Sequence, residues 1–240
     1  MKMSIRIAAF YASILLAFIA GSLGQQSSTV PGSQNKAPNG EESPAKVARA
    51  DGSTITGNRY WNPYFGFSIE LPKGWTIAPQ QQVETMQEKN LKNLAKDDPE
   101  LQEEAARSRV TSTPPLVVIE NNASKEGFDR RGFELIASDI SGESGPLTGE
   151  AYFKAVAQFA RDKKLPVEYL GTPEKVTING KVLWKAKLKE ITNGHVQYVR
   201  QYVAILKKCA VQYMLIGPDD AGLDELEPII QSLRFSPSPN

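Results

Sequence analysis

Apolar and polar positions alternate with period two at the start of the patterned region, where Phe65, Phe67, Ile69 and Leu71 are separated by Gly66, Ser68 and Glu70. Side chains on a strand point alternately to its two faces, so this spacing predicts a strand with one face on a core. Pro72-Lys73-Gly74 breaks it, and Trp75 and Ile77 resume the alternation, predicting a strand, a tight turn and a second strand. From Gln80 to Arg109 the pattern turns helical. Val83, Met86, Leu91 and Leu94 form a narrow stripe on an otherwise polar segment, and Asp97-Asp98-Pro99 marks a break with a fresh helix start. A solvated helix covering one side of a sheet accounts for it, with a partner-binding face as the alternative.

Further along, Leu116-Val117-Val118-Ile119 is a continuous apolar run suited to a strand covered on both faces. Ser124 to Gly132 reads as a loop, Phe133 to Ile140 as a strand, and the Gly- and Ser-rich run from Ile140 to Gly149 as a connection. Glu150 to Lys164 carries the strongest helical pattern, through Phe153, Val156, Ala157, Phe159 and Ala160. Strands follow at Val176–Ile178 and Val182–Leu188 around Asn179-Gly180, a pair suited to a type I′ turn because both positions need positive φ. In the second of these strands Val182, Trp184, Ala186 and Leu188 face one way and Lys185, Lys187 and Lys189 the other. Asn193-Gly194 turns the chain into Val196–Leu206, expected near the sheet centre, and Lys207-Lys208 turns it into Ala210–Ile216. Pro218 and Asp219-Asp220 open a last helix, from about Leu223 to Leu233. The expected fold class is α+β, an antiparallel sheet flanked by helices as an α/β/α sandwich.

The first 57 residues differ in kind. Lys2 and Arg6, the apolar run Ile7 to Ala20, and the small residues of Ser22-Leu23-Gly24 make the three parts of a secretory signal with cleavage after Gly24. The run of 14 residues is short against the roughly 20 of a spanning helix, and no cysteine lies beside the cleavage site to be acylated. A secreted or periplasmic location is the expectation, with no stable membrane span after cleavage. Gln25 to Gly57 is rich in Ser, Gly, Pro, Asn and Gln and poor in large apolar residues, which predicts a disordered tether of root-mean-square span roughly 30 Å. The folded domain is expected over residues 58–236.

Charge and single-residue chemistry then exclude several functions. Without Lys2 and Arg6 the 28 basic residues become 26 against 27 acidic ones, a net charge of −1 that offers no basic excess for nucleic acid. Cys209 is the only cysteine, so no internal disulfide forms. His195 is the only histidine, which excludes two-histidine zinc motifs, and a straight strand between them puts His195 and Cys209 at opposite ends. His195 is read as a solvated hairpin residue and Cys209 as a small residue at a strand end. G-x-S-x-G, G-x-G-x-x-G and Walker patterns are absent. Asp219, Asp220, Asp224, Glu225 and Glu227 lack the spacing of a calcium loop, and a helix start explains them. The Lys185, Lys187 and Lys189 row either docks an acidic partner or anionic lipid, or guards an exposed strand against edge pairing. Asn122-Ala123-Ser124 matches a glycosylation acceptor. No catalytic, cofactor-binding or metal-binding residue is assigned.

The Phe65-Gly66-Phe67 strand, the Pro72-x-Gly74-Trp75 corner and the late helix ending in Ser232-Leu233-Arg234-Phe235 together resemble the PsbP superfamily, over about residues 58–236. That resemblance implies the α/β/α sandwich and a non-enzymatic exported protein that binds or assembles another envelope protein. It carries over no docking or metal residue. Two other classes stay open: a small-ligand or lipid carrier with a pocket between sheet and helix, and an enzyme using clustered carboxylates or a metal.

Overall fold

The computed structural model describes residues 46–49, 52–94, 98–103, 116–121, 129–142, 147–192 and 194–236. These form twelve strands: β1 (Lys46–Ala48), β2 (Thr54–Thr56), β3 (Arg59–Asn62), β4 (Phe67–Glu70), β5 (Thr76–Ile77), β6 (Leu116–Ile119), β7 (Gly132–Asp139), β8 (Val167–Ile178), β9 (Lys181–Thr192), β10 (His195–Leu206), β11 (Cys209–Gly217) and β12 (Arg234–Phe235). The helices with complete bounds are α1 (Gln80–Leu94), α2 (Gly149–Asp162), α3 (Asp220–Asp224) and α4 (Glu227–Gln231).

The strands make two antiparallel sheets, a large one in the order β5-β6-β7-β11-β10-β9-β8 and a small one in the order β1-β2-β3-β4-β12. Amphipathic α2 lays Tyr152, Phe153, Val156 and Ala160 on one face of the large sheet, against Leu188, Val199, Val203 and Met214. The opposite face receives the small sheet, through Tyr60, Phe67 and Ile69, and the two C-terminal helices, through Leu223, Ile229 and Ile230. The fold class is α+β, as the pattern predicts. One flank differs from the expected sandwich, because the Phe65–Leu71 segment pairs with β3 and β12 in its own sheet instead of joining the central one. Its inward residues meet the large sheet face to face, and the ring of Phe67 lies edge-on to Tyr213 at 5.4 Å.

Three further differences have simple causes. Strands β1 and β2 fall inside the stretch expected as tether. Ile55, 5% exposed and level with Tyr60, gives β2 one core anchor, and the ladder to β3 satisfies the rest of its backbone. The C-terminal helix is two short helices, because Pro228 has no N–H to continue a hydrogen-bond ladder and instead sits in the first turn of α4. Within the segment expected to be helical from 80 to 109 the described residues form α1 and a helical piece at 99–103, begun where Asp98 accepts from the Leu101 N–H at 3.0 Å, while 95–97 and 104–109 lie outside the described residues. Val83 and Met86 hold α1 on Val117 and Ile119 of β6. The four-residue run Leu116–Ile119 is buried throughout, as its lack of alternation predicts.

The turns and edges follow local chemistry. Asn179 and Gly180 have φ of 47° and 79°, the two positive values that the I′ turn between β8 and β9 requires. Strand β10 lies beside the central β11. The long edge strand β8 shifts register between Leu170 and Glu174, where Gly171 takes φ +84° two residues before Pro173, and this bulge spoils the edge as a template for another strand. Helix α2 starts at Thr148, whose hydroxyl accepts from the Ala151 N–H at 3.1 Å. Thr148→Ala is expected to cost about 1 kcal/mol of unfolding free energy, read as a lower urea midpoint with an unchanged slope.

Candidate functional site

The residues with the most reactive side chains are kept apart. His195 begins β10 opposite Thr192, while Cys209 begins β11 opposite Leu206 and Asp139, so the two sit at opposite ends of the sheet. Burial, and secondarily the Asp139 charge, push the Cys209 thiol above its ordinary pKa, which disfavours the nucleophilic thiolate. Asn122, Ala123, Ser124 and Asn193 lie outside the described residues.

The acidic run and the lysine row, separate in sequence, are brought together. Asp219 caps α3 by accepting from the Gly222 N–H at 2.7 Å. Asp220 takes Lys187 at 2.7 Å, and Asp224 and Glu227 take the two ends of the Arg200 guanidinium at 2.8 and 3.1 Å. Glu227 also accepts from the Tyr202 hydroxyl, and Glu225 binds Arg131, which reaches Glu120 at 2.6 Å from its other nitrogen. The Glu120 contact holds the Arg131 pKa above its usual value. Lys185 meets Glu174 at 3.4 Å, Lys187 also stands over the Tyr198 ring at 5.1 Å, and Lys189 lies opposite Glu168 on the neighbouring strand. Two of the three lysines of the row are thus ion-paired from within, Lys185 by β8 and Lys187 by α3. The acidic run behaves as a helix start and as clasps tying α3 and α4 to the sheet. Among the described residues no three of His, Cys, Asp and Glu gather as a bound metal ion would need.

The Pro-x-Gly-Trp corner builds the concave feature. A solvent-open cleft of about 360 Å³ is lined by Gly57, Asn58, Leu71, Pro72, Lys73, Gly74, Trp75, Ile77 and Val118. It lies where the chain passes from the small sheet into β5, an edge strand of the large one. Gly74, at φ +78°, makes the corner that sets Trp75 against the wall. Arg131 stands 5.9 Å from the centre of the Trp75 ring, so the clasp between Glu120 and Glu225 also holds the indole in place. Ile77 is exposed beside it, and Lys73 is the one titratable residue in the lining. Sequence pattern singles out Pro72, Gly74 and Trp75, and marks Val118 only as part of a buried strand, but not Gly57 or Asn58, which arrive from the turn between β2 and β3.

A second concentration of polar groups is internal. On the α2 face of the large sheet Gln201 donates to Gln212 at 2.7 Å, and Glu134, wholly buried opposite Val117 and Met214, has no hydrogen-bond partner for either carboxylate oxygen. Burial, reinforced by the charge of Glu190, raises the Glu134 pKa well above the usual carboxylate range. The residue is legible in sequence only as a polar member of the Phe133–Ile140 strand.

These features define an α+β protein of two face-packed antiparallel sheets, with an aromatic-walled cleft at one corner. No family model matches the sequence, and no curated protein matches it. It is similar in structure to cyanobacterial PsbP (CyanoP) from Synechocystis sp. PCC 6803, at 13% identity over 74% of this chain and 91% of that one, with a TM-score of 0.46. It is similar also to LpqN, a Mycobacterium tuberculosis protein involved in cell envelope biogenesis, at 15% identity over 80% and 90% of the two chains, with a TM-score of 0.40. A third likeness is to the immunity protein TplEi of the type VI secretion system of Pseudomonas aeruginosa, at 13% identity over 81% and 76%, with a TM-score of 0.34. Among the described residues of this chain no helix is long and apolar enough to cross a membrane.

Proposed function

We propose that the protein is an exported, non-enzymatic binding or assembly factor of the cell envelope that acts by holding a segment of another protein at the Trp75 cleft. The carrying observation is the make-up of that cleft: an indole and aliphatic wall, one amide from Asn58, one ammonium from Lys73 and the neighbouring two-residue strand β5, at the edge of its sheet among the described residues. Such a lining offers apolar contact and a few orienting polar groups, the pattern of a recognition pocket, and β5 adds main-chain donors and acceptors for an extended peptide. The N-terminal signal pattern supports export. Clamped from behind by Arg131, the Trp75 ring loses little freedom on binding, which is the property of an anchor residue.

The test is crosslinking capture of the full chain in its native cell envelope, with mass spectrometry of the crosslinked peptides. One stoichiometric protein partner, crosslinked through Lys73, is expected, and Trp75→Ala should lower its capture at least tenfold, the loss of a hot-spot aromatic. Capture that is unchanged by Trp75→Ala, in a variant whose far-ultraviolet circular dichroism matches the parent, would sink this assignment.

A further inference from the structure

Four cations without carboxylate partners among the described residues stand together at one end of the large sheet. Trp184 of β9 stands opposite Val203 of β10, and this antiparallel register brings Lys181 level with Leu206, so the β8–β9 and β10–β11 turns emerge at the same end of the large sheet. Lys181 projects from the first turn, and Lys207 and Lys208 form the second. Arg234 joins them: its guanidinium donates to the carbonyls of Gln231 and Leu233, the same two that accept from the Asn179 side chain in the first turn.

A continuous row of aromatic rings underlies these charges. The Lys181 ammonium stands 6.0 Å from the Phe235 ring, Phe235 lies 6.1 Å from Phe67, Phe67 lies 6.4 Å from Phe65, Phe65 lies 4.8 Å from Tyr64, and Lys207 stands 4.6 Å from Tyr64. The two lysines are therefore held over π faces at either end of one platform. None of Lys181, Lys207, Lys208 and Arg234 is ion-paired among the described residues, whereas Lys185, Lys187, Arg131 and Arg200 all are. Asp139, an acidic residue described at this end, accepts from the Ser141 N–H at 2.8 Å.

Two features point to the kind of partner. Tyr64, 54% exposed, and Val182, 43% exposed, stand beside the charged turns, so apolar and aromatic tips are set among cations. The turn residues also carry a conformational cost. Lys207 and Lys208 take φ of 49° and 62°, the conformation that Asn179-Gly180 fills with suitable residues at the neighbouring turn. Side chains with a Cβ are strained there, and the strain is retained at two consecutive lysines.

We infer that this end of the protein rests on an anionic phospholipid surface, with the four cations against headgroup phosphates and Tyr64 and Val182 at the headgroup boundary. The charges come from two turns and the short strand β12 around a rim, not from the walls of a groove, so they suit a flat charged surface better than an extended acidic peptide. Tyrosine favours the membrane interface because its ring is apolar and its hydroxyl stays wet. The contact is peripheral, distinct from the Trp75 cleft at the opposite end of the small sheet, and stands whether or not a protein occupies that cleft.

The test is lysine acetylation of the full chain mixed with phosphatidylglycerol or phosphatidylcholine vesicles, read by mass spectrometry. Lys181, Lys207 and Lys208 are expected to be protected severalfold by phosphatidylglycerol and not by phosphatidylcholine, with protection lost at high salt, while Lys73 and Lys154 label equally with both. Lys181→Gln with Lys208→Gln should raise the phosphatidylglycerol concentration needed for half-maximal protection of Lys207 about 25-fold, each neutralised charge contributing about fivefold. Equal labelling of the three lysines with both vesicles overturns the inference. So does protection by soluble polyglutamate but not by phosphatidylglycerol, which would assign the patch to an acidic protein.

Discussion

A Gly149→Val substitution is expected to lower the unfolding free energy by about 3 kcal/mol, at the upper end of the usual cost of overpacking a core. Gly149 is the first residue of α2, and a Cβ placed on it would lie 2.6 Å from Trp184 Cδ1 and 2.8 Å from both Trp184 Cβ and Cγ. Carbon atoms do not approach so closely. The indole cannot yield cheaply, because its Cβ is fixed by β9 and its ring packs in the α2 core cluster. The helix must therefore move away from the sheet or the strand must deform. Either response separates Phe153 and Val156 from Leu188 and Val199, residues that are almost fully buried together. Chemical denaturation of parent and variant measures the loss. Gly66 is the internal comparison: nothing lies within 4 Å of the Cβ it lacks, and only its φ of +68° resists a side chain. Gly66→Ala should thus cost about 1 kcal/mol, through backbone strain alone.

Glu134→Met is expected to stabilise the protein, with a gain that grows with pH. The carboxyl is buried without hydrogen-bond partners, which costs about 1–3 kcal/mol even when it is protonated. Its folded-state pKa is raised, first by burial and then by Glu190, so the native state holds a proton that the unfolded chain releases above about pH 4.3. The wild-type protein therefore loses stability as pH rises from that point toward the folded pKa, by up to about 1.4 kcal/mol per pH unit. Methionine has a similar volume, no charge and no unmet hydrogen bonds, so Glu134→Met removes both costs. Urea midpoints for the two proteins from pH 4 to pH 8 check this. The curves should diverge with rising pH, and parallel curves would show that the carboxyl is not the cause.

Legibility in the sequence depended on how local the deciding physics was. The Asn179-Gly180 turn, the strand at 116–119 and helix α2 could be read directly, because turn dihedrals, continuous burial and a helical stripe each concern residues close along the chain. The extra strands β1 and β2 escaped the same reading. A polar strand is held by its neighbour's backbone, and the single anchor Ile55 leaves almost no pattern. The lysine row was visible as an alternation, yet its partners Glu174 and Asp220 were fixed by the register with β8 and by the return of α3 over the sheet. Lys207-Lys208 was visible only as a turn. That it shares an end with Lys181, Tyr64 and Arg234 depends on the pairing of four strands.

The amino-acid sequence by itself determined the α+β class, the main elements of the large sheet, the Pro72–Trp75 corner and the wide separation of His195 from Cys209. Each follows from periodicity or chain length. Only the tertiary structure decided that the Phe65–Leu71 strand builds a second sheet, that the acidic run closes on the lysine row, and that Lys181, Lys207, Lys208 and Arg234 share one end of the protein. The physical reason is that burial pattern specifies which face of an element is covered but not by what. Charges far apart in sequence become partners or neighbours only once packing has chosen the cover.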